Sequence, residues 1–228
     1  MAFHYTYSYF RVSKTEDISA SAQRYRELRL KALKTSPSSF SSTYDIEAAF
    51  THADWIDRLT VPNQEVFICA ATRHSNNNGL SFSEGAEWIG QVTLRGPLSA
   101  TDFVLPEASG QPPQRPDEEE ERWQMLSLFT LPEHRGKGLG GNLCQEALDF
   151  LRSYRASPPA VQVRLMVKPD NHATVKLYLR LGFVEAGKCT LAEALVANGD
   201  GHLLPKDPDP VKYADRQGLI MISRISRP

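Results

Sequence analysis

Three features are scarce in this 228-residue sequence, and each scarcity excludes a class of protein. Its uninterrupted apolar runs are only a few residues long, far short of the roughly 20 that cross a membrane. Its 26 basic and 27 acidic side chains leave a net charge of −1, so no overall attraction to nucleic acid is expected. Its three cysteines, Cys69, Cys144 and Cys189, lie in apolar segments, which favours buried reduced thiols. We therefore expect no membrane or nucleic-acid partner and a cytoplasmic or nuclear location.

Hydrophobic periodicity predicts strands alternating with helices. The first residues, MAFHYTYSYFRV, alternate aromatic and polar side chains, which predicts a strand and not a signal peptide. The predicted strands are 5–12, 66–72, 87–94, 123–131, 161–167, 184–191 and 219–225, and the predicted helices are 18–33, 45–59, 138–151 and 171–181. Residues 75–79, SNNNG, are typical of a turn. The pattern predicts an α/β (α+β) fold in a single domain over 1–228.

Two segments are predicted to be additions to this domain. Residues 106–122 are rich in proline and acidic side chains and nearly lack apolar ones, which predicts a flexible, solvated insertion. Residues 198–217 contain several prolines and aspartates, which predicts a long surface loop.

A glycine-rich turn within residues 128–141, LFTLPEHRGKGLGG, joins the most apolar strand to the clearest amphipathic helix. Such a junction aims unpaired backbone N–H groups and the positive end of the helix dipole at one point, which suits a phosphate or pyrophosphate. The stretch lacks the Gly-Lys-Ser/Thr of a P-loop. Gly136, Gly138 and Gly141 match a G-x-G-x-x-G spacing, but no acidic residue ends a second strand about 20 residues later, which disfavours a dinucleotide fold.

The same residues resemble a family signature. Arg135-Gly-Lys-Gly138-Leu-Gly140 is similar to the R/Q-x-x-G-x-G/A motif of the GCN5-related N-acetyltransferase (GNAT) superfamily. A second block, NHATVKLYLRLGF over 171–183, resembles the family's N-x-x-A-I-x-L-Y-x-x-L-G-F pattern, with Thr174 in place of the usual alanine. The resemblance implies a single-domain GNAT-like fold, with a central mixed, mostly antiparallel sheet and helices on both faces.

The resemblance also implies acetyl-coenzyme A as co-substrate and no metal ion. Backbone amides of the turn would hold the pyrophosphate, and the preceding strand edge would pair with the pantetheine arm where two central strands splay. The implied cofactor-binding residues are Phe129, Thr130, Leu131, Arg135, Gly136, Lys137, Gly138, Leu139, Gly140 and Asn171. Phe129 and Leu131 equally suit core packing, and Asn171 equally suits a helix N-cap.

Tyr178 is the implied catalytic residue, with its hydroxyl near the thioester sulfur. It lies close to two helical turns after Asn171, on the same helix face. A phenol, whose ordinary pKa is near 10, can protonate a departing thiolate, whose ordinary pKa is about 8 to 9. A core aromatic is the alternative for Tyr178. The general base is not evident: Glu47, Glu87 and His134 are candidates, and His134 is expected to face solvent.

These observations predict an N-acetyltransferase that moves acetyl from acetyl-coenzyme A to a primary amine by direct attack in a ternary complex. The acceptor would be a small molecule or a peptide or protein amine. Residues 26–47 are similar to the family's opening segment, which forms one wall of the acceptor site. A non-catalytic coenzyme-A-binding regulatory or scaffold module is the alternative, and a homodimer is left open.

Overall fold

The structure, a computed structural model, describes residues 3–40, 42–77, 80–83, 85–207 and 209–227. They form two compact units. The first takes in the described residues of Met1–Pro37, Tyr44–Thr93 and Ser127–Ala147, and the second those of Ser38–Thr43, Leu94–Leu126 and Leu148–Pro228. Among the described residues, no helix is long and apolar enough to span a membrane.

The strands of the described residues belong to a mixed sheet. They are β1 (Phe3–Arg11), β2 (Gln64–Asn77), β3 (Leu80–Ser83), β4 (Glu87–Leu98), β5 (Glu120–Thr130), β6 (Ala160–Val167), β7 (Val184–Cys189) and β8 (Gly218–Ser226). In the first unit, β2 pairs antiparallel with β1 and β3. In the second unit, β5 runs parallel to β6, and β8 pairs antiparallel with β6 and β7. The predicted fold class, a mixed and mostly antiparallel sheet combined with helices, is confirmed.

The turn predicted over 75–79 is wrong for residues 75–77. Residues 75–77 continue β2 and pair with β3, and residues 78–79 lie outside the described part of the chain.

The α-helices alternate with these strands along the chain. They are α1 (Ile18–Thr35), α2 (Tyr44–Ala48), α3 (His52–Thr60), α4 (Ala100–Phe103), α5 (Leu139–Ser153), α6 (His172–Arg180), α7 (Leu191–Asn198) and α8 (Pro210–Tyr213). The single helix predicted over 45–59 is thus two helices. Thr51 separates them because it caps α3: its hydroxyl accepts from the Asp54 N–H at 3.2 Å, and the Asp54 carboxylate accepts from the Thr51 N–H at 2.7 Å.

Helix α7 was not predicted, although its local sequence carries a start and a stop signal. The Thr190 hydroxyl accepts from the Glu193 N–H, the Glu193 carboxylate accepts from the Thr190 N–H, and Gly199 ends the helix at φ 86°. The predicted long loop 198–217 accordingly begins at the end of α7 and contains a 3-10 turn and α8. Pro208 of this loop lies outside the described residues.

The interpretation of 106–122 as a solvated insertion is wrong for residues 120–122, which are buried, whereas most of residues 106–119 are exposed. β5 begins at Glu120, and both Glu120 and Arg122 are fully buried. Asp117 accepts from Arg122 Nη1 at 2.6 Å, and Gln111 accepts from Arg164 Nη1 at 2.7 Å. Because this part of the second unit buries charged side chains, a polar segment packs against it through hydrogen bonds, without the apolar residues that a packed segment usually shows.

Candidate active site

The glycine turn, residues 131–138, lies in the first unit. Pro132–His134 form one 3-10 turn, and α5 begins at Leu139. Gly136 and Gly138 have φ of 78° and 77°, in the left-handed region where a residue with a Cβ is strained. A Cβ at either position would meet nothing within 4 Å. The glycines are therefore required by the backbone conformation, and open space lies in front of them.

The turn leads directly into the N-terminus of α5. In the first helical hydrogen bond, the Asn142 N–H donates to the Gly138 carbonyl at 3.1 Å. The amides that precede Asn142 have no carbonyl one turn earlier within the helix, and no acidic side chain lies in the first turn. The exposed residues 135–138 thus adjoin unpaired N–H groups and the positive end of a 15-residue helix, an arrangement that suits an anion.

The two cations of the turn are each held by protein groups. Arg135 Nε donates to the Thr130 carbonyl at 2.9 Å, and its guanidinium lies 5.5 Å from the centre of the Phe129 ring. Lys137 Nζ donates to the Tyr7 hydroxyl at 2.9 Å, above an aromatic surface on β1. Both positive charges therefore stay at the turn, and Arg135 also ties the turn to the end of β5.

His134 does not face solvent, contrary to the sequence prediction. It is 4% exposed, its ring packs edge-on against Tyr5 and Tyr7, and its Nδ1 lies 3.2 Å from the Tyr7 hydroxyl. Burial, and then the nearby Lys137 charge, lower the pKa of His134. Aromatic residues on β1 provide this burial, and nothing in the sequence near His134 indicates it.

The strand that precedes the turn is partly exposed near its centre. Phe129 and Leu131 are buried, as core packing requires, whereas Ser127 and Leu128 are only half-buried. Ser127 has φ 59°, one of two positive values among the described non-glycine residues. Within the second unit, the pairing of β5 with β6 ends at Gln124, although β5 continues to Thr130. The splaying of two central strands, which the family resemblance implies, stays a prediction.

Asn171 and Tyr178 lie in the second unit, Asn171 just before α6 and Tyr178 on it. The Asn171 side chain accepts from the Thr174 N–H at 3.4 Å, which confirms its interpretation as an N-cap. Tyr178 is 6% exposed, and its ring centre is 5.6 Å from that of Phe183. A cofactor contact by Asn171 and an acid role for Tyr178 stay predictions.

The candidate bases Glu47 and Glu87 occupy different environments. Glu47 is fully buried, and both its oxygens accept from Arg29, at 2.9 and 2.7 Å. A carboxylate held in this way is a poor proton acceptor, which argues against Glu47 as the base. Glu87 is exposed and lies 3.7 Å from Lys31 Nζ.

Glu87 also borders a cleft of about 470 Å³ in the first unit. The cleft lies between α1 and the start of β4, and its charged lining surrounds Leu28 and Trp88. Its wall on α1, Arg24 to Lys31, overlaps the segment 26–47 that is expected to border the acceptor.

Comparison with known proteins agrees with this fold. Residues 42–183 match the Acetyltransferase (GNAT) family, and the chain belongs to that family. It is similar in fold to Arabidopsis thaliana NAA60 in complex with a bisubstrate analogue, with a TM-score of 0.53 and 16% identity over 97% of this chain and 100% of that chain. It is similarly close to a GNAT acetyltransferase from Streptococcus pneumoniae, with a TM-score of 0.53 and 15% identity over 97% of this chain and 100% of that one. No curated protein matches the sequence significantly.

A second structure of Arabidopsis thaliana NAA60, in complex with acetyl-CoA, has a TM-score of 0.52 and 16% identity over 96% of this chain and 99% of that chain. Membership of the Acetyltransferase (GNAT) family supports acetyl transfer in general. The described residues contain no group of three or more His, Cys, Asp or Glu side chains that could hold a metal ion.

Proposed function

We propose that this protein is an acetyl-coenzyme-A-dependent N-acetyltransferase that acts on a primary amine of a small molecule or peptide. The observation that carries the proposal is the turn from Arg135 to Gly140. It combines two left-handed glycines, open space in front of them, two cations and a helix N-terminus. This combination fits the pyrophosphate of coenzyme A.

Each part of the first unit's site has a definite task in this proposal. Backbone amides of the turn bind and orient the pyrophosphate. The main chain of β5 at Phe129 and Thr130 holds the pantetheine arm, and preorganised N–H groups polarise the thioester carbonyl. Acetyl-coenzyme A, when bound, supplies the activated acetyl group. Catalysis then consists mainly of holding two reactants in the correct geometry.

Tyr178 is the proposed general acid, which gives its hydroxyl proton to the departing thiolate sulfur. Glu87 stays a candidate for accepting a proton from the acceptor amine, because its carboxylate is exposed beside the cleft. Glu47 does not serve, because Arg29 occupies both of its oxygens.

The test measures coenzyme A affinity by calorimetry and thiol release from acetyl-coenzyme A with pooled amines. Gly138→Val should weaken coenzyme A binding at least tenfold, because a Cβ strains the left-handed turn. Gly182→Val is the matched control: Gly182 has φ 84°, is exposed, and also has open space around it. It should lose similar stability and keep its coenzyme A affinity.

Three results would count against the proposal. Unchanged coenzyme A affinity in folded Gly138→Val would remove the pyrophosphate assignment. An equal loss of affinity in both variants would show that strain, and not the turn, is responsible. Binding without thiol release from any amine would favour the non-catalytic coenzyme-A-binding module.

A further inference from the structure

Ser127 adopts a backbone conformation that its own side chain does not favour. Its φ of 59° lies in the left-handed region, in the C-terminal half of strand β5. Outside glycine this conformation is strained, and it persists only where surrounding groups enforce it. The groups that hold Ser127 therefore control the course of the strand toward the glycine turn.

Two buried side chains bind Ser127 at different atoms. Arg29 of α1 donates from Nη1 to the Ser127 hydroxyl at 3.3 Å, and Gln91 of β4 donates from Nε2 to the Ser127 carbonyl at 3.3 Å. Arg29 is 2% exposed and Gln91 is fully buried. Both the side chain and the main chain of Ser127 are thus fixed, and from separate elements of the first unit.

Arg29 is itself held in one orientation by Glu47. Its Nε and Nη2 donate to the two Glu47 oxygens, which leaves Nη1 directed toward Ser127. Arg58 Nη1 lies 3.4 Å from Glu47 Oε2 and anchors the same carboxylate to α3. A planar guanidinium bound at both nitrogens of one edge has little freedom left, so its third donor is a rigid contact.

We propose that Arg29 and Gln91 are positioning residues that act through Ser127. They set the β5 main chain at the place where it must receive the thioester end of acetyl-coenzyme A. The inference rests on the proposed function, because a precise strand geometry matters here only if that strand orients a reacting group. A displacement of about 1 Å at such a place costs up to about a hundredfold in rate.

Gln91→Met and Ser127→Ala each remove one of these contacts with little change in volume. Gln91 Oε1 is buried and has no hydrogen-bond partner among the described residues, so Gln91→Met also removes an unsatisfied atom, and the variant should fold. Thr93→Val is the matched control. Thr93 lies two residues further along β4, is 2% exposed, and its hydroxyl has no partner within the described part of the chain.

The measurement is steady-state and single-turnover acetyl transfer, together with coenzyme A affinity. We expect kcat to fall at least fivefold in Gln91→Met and in Ser127→Ala, with KM for acetyl-coenzyme A changed less than threefold. The double variant should be little slower than the slower single variant, since either change alone releases the strand. Thr93→Val should keep the rate of the unchanged protein.

The possible outcomes separate this inference from the proposed function. If the unchanged protein transfers acetyl and the two variants match its rate, the positioning role is refuted and the proposed function stands. Lower stability with an unchanged rate in the folded fraction would equally refute it, because that is a structural contact only. If the unchanged protein binds no coenzyme A or transfers no acetyl, the proposed function fails, and the positioning role fails with it.

Discussion

The Glu47→Gln substitution separates a structural carboxylate from a catalytic one. Glu47 is fully buried and accepts two hydrogen bonds from Arg29. Glutamine keeps the shape of the side chain but removes its charge. It also places an NH2 group where an oxygen now accepts, so that a donor faces a guanidinium donor. Arg29 then remains buried without a full counter-charge.

The expected loss is large relative to the stability of a typical protein. Breaking a buried ion pair costs about 3 to 5 kcal/mol, against total unfolding free energies of about 5 to 15 kcal/mol. For a chain of this size the loss corresponds to a fall in Tm of roughly 6 to 20 °C. The effect should depend weakly on salt, because buried pairs are screened much less than exposed ones.

Urea denaturation at pH 7 measures the loss, and Asp45→Asn is the control. Asp45 lies on the same helix and is exposed, so its loss of charge should change the unfolding free energy by less than about 0.5 kcal/mol. The pH profile of kcat/KM should keep its shape in Glu47→Gln. A stability change below about 1 kcal/mol, together with a lost acidic limb of that profile, would refute the structural role and restore Glu47 as a base.

Three further predictions concern the acid, the polar segment and the buried histidine. Tyr178→Phe should lower kcat roughly tenfold to a thousandfold in single-turnover kinetics while coenzyme A affinity holds, and an unchanged rate would exclude Tyr178 as the acid. Replacing 107–118 with a short Gly/Ser linker should lower Tm by roughly 5 to 15 °C, because the buried Arg122 and Arg164 lose hydrogen-bond acceptors. An unchanged Tm would mean those contacts are dispensable. Burial lowers the pKa of folded His134, so its contribution to the unfolding free energy should be present in full above about pH 6.5. Below that pH the unfolding free energy should fall, because the unfolded chain takes up a proton that the folded chain does not. Denaturation of His134→Gln should show a weaker fall with pH, and an equal fall would mean that other groups cause it.

Local sequence was enough to find most of the fold and the central turn. Helix α1, for example, was predicted over 18–33 and observed over Ile18–Thr35, because its apolar positions recur three or four residues apart. The left-handed glycines of the turn are also a local property, so the motif located them. Capping residues set the break between α2 and α3 and the start of α7. Hydrophobic periodicity does not detect capping residues, so both features were missed.

Local sequence did not predict which polar residues are buried, because residues distant in the chain bury them. His134 is predicted to face solvent because it flanks the glycine turn, yet β1 supplies the rings that cover it. The segment 106–122 was assigned to solvent because it lacks apolar residues. Residues 120–122 are buried nevertheless, and two side chains of the largely exposed remainder, Asp117 and Gln111, accept hydrogen bonds from buried arginines of the same unit.

The hydrogen bonds of Ser127 could not be predicted from local sequence either. Gln91 stands out in the apolar stretch WIGQVTL, and a polar residue there signals a buried hydrogen bond. The stretch does not reveal the partner, which lies 36 residues away, and Arg29 reaches the same serine across 98 residues. A motif records groups that contact a ligand along one short piece of chain. Residues that hold such a segment in place come from distant parts of the chain. Only the three-dimensional structure could therefore show that Arg29, Gln91 and Ser127 are joined by hydrogen bonds.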